Sequence, residues 1–233
     1  MKYVITLLLG IVTGVALFAV GLYANPLHSG TRLSPIAVGT GEIISLSYSS
    51  AIEDAIMYTN NGETRLHPHP AKVLQLWEAP VRRTTTTATV LRNSRGELAG
   101  IGIKFASDSE STNLLNGEAI VDSAWHIYLP GRGTIFVEQS ENYWNYLREI
   151  VMPAFWSSAD NWKGNWHGTM TSGPGALGTA RVTGGSGEFA TLETEGIESL
   201  TAQAYSVKQG PVAAESRLTI ELPKPLETTA NER

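Results

Sequence analysis

The stretch RVTGGSGEFA, Arg181 to Ala190, admits two readings, and the fold turns on which one holds. Gly185, Gly187 and Ala190 match the G-x-G-x-x-G/A pattern of a dinucleotide-binding loop. Such a loop needs a strand-to-helix turn, a helix N-terminus aimed at the pyrophosphate, and an acidic residue about 20 positions on for the ribose. None of the three is met. EFATLETEGIESL (Glu188 to Leu200) has no helical period, the flanks do not alternate strand with helix, and Val207 and Lys208 stand where the acid belongs. The string is therefore read as a hairpin, with TARV and GEFATLE extended and the glycines supplying φ > 0 between them.

Working outward, the chain is a series of short alternating runs. EIISLSYS (Glu42–Ser49), KVLQLWE (Lys72–Glu78), TTTTATVLR (Thr84–Arg92), AGIGIKFAS (Ala99–Ser107) and EAIVDSAWHIYL (Glu118–Leu129) come first. TIFVEQ (Thr134–Gln139), LTAQAYSV (Leu200–Val207) and SRLTIEL (Ser216–Leu222) follow. They are rich in β-branched and aromatic residues and separated by turn chemistry such as NSRGE, LPGRG and KQGP. That pattern predicts an all-β, antiparallel sandwich or barrel. One segment differs. SENYWNYLREIVMPAFW reads as a short helix with Ser140 as N-cap, Glu141 in the first turn, and an apolar stripe of Tyr143, Leu147 and Ile150 that Pro153 ends or kinks.

The string VTGGSGEF (Val182 to Phe189), with Gly196 beyond it and Gly168 upstream, resembles the signature hairpin of the allene oxide cyclase and dirigent-type barrel superfamily. The resemblance implies a closed barrel of about eight antiparallel strands, lipocalin-like, with a mostly apolar interior cavity. The sequence departs from that pattern after Phe189, where ATLETEG stands, and no catalytic residue of either plant family matches a position here.

The composition suits a folded domain: 233 residues, 42% apolar. A formal charge of −5 excludes the electrostatic footprint of a nucleic-acid binder. There are no cysteines, so disulfides and thiolate chemistry are excluded. Tyr3 to Ala24 carries no charged side chain and is long enough to span a bilayer. It reads as an uncleaved transmembrane anchor. The rival is a signal peptide cut after Ala24, with bulky Leu22 at the −3 position. The resulting organisation is an anchor over 1–24, a Pro/Gly/Ser-rich linker over 25–40, a barrel over 41–222 on the exported side, and a loose tail over 223–233.

Candidates for chemistry are sparse. His67 and His69 form an H-x-H pair without a third ligand, flanked by prolines, and read as an exposed turn. Asp122 and His126 share one strand face but stand about 13 Å apart, too far for a dyad. On an inward face they would be polar groups in an apolar cavity. The outward face suits them better, since Val121, Trp125 and Ile127 then form the core. Trp144, Trp156, Trp162 and Trp166, four of six tryptophans, either plug a barrel end, line a pocket, or dock the domain onto the bilayer surface. The expected function is binding of a small hydrophobic molecule at the membrane. The alternatives are an envelope-protein interaction module or a cyclase- or isomerase-type enzyme. No cofactor and no nucleic-acid partner are expected.

Overall fold

The computed structural model describes residues 2–23, 42–51, 56–60, 63–64 and 84–223. The first element is helix α1 (Lys2–Tyr23), which contains one stretch, Tyr3–Gly21, apolar enough to cross a membrane, with a mean hydropathy of 2.5 and no burial against the rest. By length and composition it suits either a membrane span or a signal sequence.

Twelve antiparallel strands follow among the described residues. They are β1 (Glu42–Ser49), β2 (Ile56–Asn60), β3 (Glu63–Thr64), β4 (Thr85–Arg92), β5 (Leu98–Asp108), β6 (Ile120–Leu129), β7 (Gly133–Asn142), β8 (Asn161–Thr169), β9 (Thr171–Gly173), β10 (Ala180–Gly187), β11 (Glu193–Ser206) and β12 (Gly210–Leu222). Eight of them form a ring in the order β1-β12-β11-β10-β7-β6-β5-β4, closed by one pairing of β4 back to β1 at Ser47 and Arg92. The expected run KVLQLWE and the pair His67 and His69 lie outside the described residues.

Alternation decides what faces inward. On β6, Ser123, Trp125, Ile127 and Leu129 are buried while Asp122, Ala124, His126 and Tyr128 are exposed. At the end where the chain enters the ring at Glu42, the interior is apolar. Ile44, Leu46, Leu91, Ile127, Ile135, Val182, Phe189, Leu218 and Ile220 form one cluster there. Each such fully buried side chain contributes about 1.5–3 kcal/mol.

At the opposite end the wall changes composition. β10 pairs with both β7 and β11 only near the entry end. Beyond it, β9 takes its place on β7 and β8 its place on β11. Between β7 and β8 runs a helix over residues 144–156 (α2), made of Trp144–Tyr146, a π turn at Leu147–Val151, and Met152–Trp156. It starts later than expected. Ser140 and Glu141 are the end of β7, and the Asn142 side chain accepts the Trp144 N–H at 2.9 Å. Pro153 does not end the helix, because the π turn opens the ladder just before it.

The glycine string needs a second correction. Gly184 to Gly187 are not the turn; they are the last residues of β10, bulged against β7, and the chain reverses over 188–192. Only Gly187 among them has positive φ, at 62°. A Cβ on Gly184 would fall 1.2 Å from the Phe189 carbonyl oxygen, because the reversing chain tucks the Phe189 ring into the core. Close approach, more than turn geometry, is what these glycines provide. Gly184→Ala should lower stability by about 3 kcal/mol or more. Gly96→Ala, where φ is +79° but no atom is near, should cost about 1 kcal/mol. Urea denaturation of both variants checks this, and equal losses would contradict it.

Candidate functional site

Toward the far end, the ring interior holds charge. The inward alternation of β5, β7 and β11 places Lys104, Glu141 and Glu198 together. Lys104 Nζ lies 2.7 Å from Glu141 Oε1 and 3.0 Å from Glu198 Oε1. Both carboxylates are buried and the lysine side chain is 11% exposed. One ammonium thus faces two carboxylates.

Neutral donors complete the set. Tyr143 donates to Glu141 Oε2 at 2.7 Å, and the Trp125 indole N–H to Glu198 Oε2 at 3.2 Å. The Tyr48 hydroxyl donates to Glu198, the Ser123 hydroxyl to Glu141, and the Gln139 amide to both. Gln139 is held in turn by Thr171 on β9, whose hydroxyl donates to its carbonyl at 3.0 Å and accepts the Glu198 backbone N–H at 2.7 Å. Lys104 lies over the Trp125 ring, 5.3 Å from its centroid, and Tyr48 meets that ring edge-on.

Burial alone would drive a proton off Lys104, but Glu141 and Glu198 outweigh it and hold the amine well above its ordinary pKa. Burial would likewise raise Glu198. Lys104 and the donors Tyr48 and Gln139 prevail and hold it below the ordinary carboxylate range. The phenols of Tyr48 and Tyr143 are pushed up, first by burial and then by the carboxylates beside them. The arrangement offers an ionised Glu198 carboxylate, phenols that keep their protons, and a cation at the threshold of solvent.

The residues singled out from sequence are elsewhere. Asp122 and His126 point outward. Asp122 accepts from Ser140 Oγ at 2.7 Å, and His126 stacks on Phe136 with centroids 4.7 Å apart. An acid–base role in the interior needed the other face, which Ser123 and Trp125 occupy. Trp162 and Trp166 pack with Tyr146, Ile150, Met170 and Leu200 in a second cluster beneath α2, and Trp166 donates to Glu149 at 2.8 Å. Trp144 is buried in α2, whereas Trp156 is 70% exposed. The mostly apolar interior implied by the resemblance holds only at the entry end. Glu141 was misplaced into a helix, and Lys104 and Glu198 were not singled out. The available signal was parity: each sits at an inward position of its own strand.

Lys104→Met would strand two buried carboxylates and should cost about 3–5 kcal/mol, part of it recovered by adding Glu198→Gln. The pH dependence follows from the shifts. Glu198, lowered in the fold, contributes stability above the ordinary carboxylate value of 4.5 that is lost as pH falls through its folded pKa. Tyr48 and Tyr143, raised from 10.0, and Lys104, raised from 10.5, contribute stability below those values that is lost as pH climbs past them. Melting temperature should therefore be flat between these limits and drop on both sides. A steady fall across neutral pH would contradict the assignment.

No family model and no curated protein matches the chain, so the allene oxide cyclase and dirigent likeness stays a resemblance in one motif. Two solved structures align with it weakly. One is a nonspecific heme-binding cyclase that catalyses a cycloaddition in neoabyssomicin biosynthesis, with 9% identity and a TM-score of 0.37 over 77% of this chain. The chain spans 64% of that protein's length. The other is the Diels Alderase AbmU from Streptomyces koyangensis, with 11% identity and a TM-score of 0.38 over 87% of this chain and 80% of that one.

Proposed function

We propose that the ring is an exported β-barrel over residues 41–222, held at a membrane by the N-terminal helix through the linker 25–40. It binds a small, mainly apolar molecule at the end of the ring where Lys104, Glu141 and Glu198 converge. The carrying observation is that charged cluster itself. A ring of this size gains little stability from it, since burying an ion pair roughly breaks even with packing apolar side chains of the same volume. Convergent polar groups with displaced pKa values are a feature that binding sites share. Lys104, the member of the cluster that reaches solvent, supplies the contact for the polar end of the molecule.

A cyclase or isomerase is the second reading. Its version built on Asp122 and His126 is set aside because both face outward. The observation in its favour is that the Glu198 carboxylate and the Tyr48 hydroxyl, hydrogen-bonded partners, are polar groups converging inside the ring.

The test uses the full chain purified in detergent, extracted with organic solvent, and the extract read by mass spectrometry. A small molecule should be retained by the parent and lost from Lys104→Met/Glu198→Gln at unchanged fold. An extract that is empty, or identical for both chains, counts against the proposal.

A further inference from the structure

The outward face of the ring near the entry end is apolar. Val90, Ile101 and Tyr128 lie side by side across β4, β5 and β6 in direct register. Leu98 is paired with Arg92 one step nearer the end, and Ile43 points outward from β1 where the chain enters. All five are between 48% and 70% exposed. Soluble surfaces carry such residues singly, and a contiguous group marks an interaction site.

We infer that this face docks on the surface of the lipid bilayer that holds α1. The inference rests on the reading of α1 as a membrane span. Connectivity argues for the occupant. The patch lies on β4, β5 and β6 at the end where Glu42 enters the ring, with Ile43 apart from it on β1, and residues 24–41 join that end to the helix. Extended, that segment reaches no farther than roughly 60 Å. The entry end is thereby confined near the bilayer, and at the high effective concentration of a tether a weak patch suffices to dock. The composition agrees. Tyr128 is a residue type favoured at the membrane interface. Arg92 and Arg95 beside the patch are offset by Glu97, and Arg132 is paired with Glu42 and Glu188. With charges balanced, the contact is apolar and tolerant of salt, and it does not need anionic lipid.

The absence of cysteine makes the test direct. Single replacements Leu98→Cys and Ile101→Cys on the patch, and Arg217→Cys on the outer face of β12, carry an environment-sensitive fluorophore in the full chain. Each is reconstituted into phosphatidylcholine vesicles with and without lipids bearing a shallow spin-label quencher. Labels at Leu98 and Ile101 should lose about twofold more emission than the Arg217 label. The Leu98 label should escape quenching when Ile101→Glu and Tyr128→Glu are added, with melting temperature showing that the fold is kept. Flotation of the vesicles separates the two readings. A chain that floats with patch labels unquenched overturns docking and leaves the anchor standing. A chain that does not float overturns both. Patch cysteines that cross-link between copies, unquenched by lipid, overturn docking in favour of a second copy as the occupant.

Discussion

Lys104 bridges strands that backbone hydrogen bonds do not join. Near the entry end β10 links β7 to β11 by ordinary ladders. Farther on, β9 and β8 come between them, β9 pairing with β7 and β8 with β11, and Met170 between the two accepts the Asn142 N–H and donates to the Glu198 carbonyl. There Lys104 from β5 draws Glu141 of β7 and Glu198 of β11 to one point, with Gln139 and Thr171 completing the connection. Coulomb attraction in a poorly screened interior is strong enough for this, and it offsets the desolvation of three ions only because nearly every oxygen has a donor. The ring interior is thus of two kinds, apolar packing at one end and, at the other, a charge cluster that gathers three strands at one point while adding little net stability.

The division explains what could be read from sequence. Period-two alternation located β1 to the residue and β4, β5, β6 and β7 to within a few residues, because each has one wet and one dry face, and it found only the second halves of β11 and β12. The glycine string pointed to antiparallel structure even though its turn was misplaced. β8, expected near Gly168 only from the family resemblance, does not stand out by alternation, because NWKGNWHGT carries tryptophans on its half-buried face and polar residues elsewhere, with few β-branched residues. The charge cluster was hidden for a different reason. A lysine or glutamate on an inward position looks, in one strand alone, like a solvated residue. Only the register between β5, β7 and β11 turns three such positions into one site.

The tryptophan-rich segment shows how little local composition says about place. Four tryptophans close in sequence suggested a plug for a barrel end, a pocket lining or a bilayer contact. In space they are divided among the interior of α2, the seat of that helix on β8 and β11, and solvent. The helix packs Tyr146 edge-on against Tyr143, Trp166 and Tyr205, and the Tyr146 hydroxyl is buried without a hydrogen-bond partner among the described residues. The density of rings there serves to seat a short, π-interrupted helix that has little propensity to hold itself together.

The closure of the ring has a consequence for how the chain comes to be folded. β1 is paired along its whole length with β12, the last strand, and with β4 through a single residue pair. A chain delivered from its N-terminus must keep β1 without its main partner until nearly everything else has emerged. Contacts between such distant segments are slow to form, because the loop they close is long before it is rewarded. In the interval β1 presents an open edge with Ile44, Leu46 and Tyr48 on one side, the kind of edge that pairs with strangers. The thin seam at Ser47 and Arg92 thus makes the order of synthesis, and the company the strand keeps while it waits, part of what the fold demands of its cell.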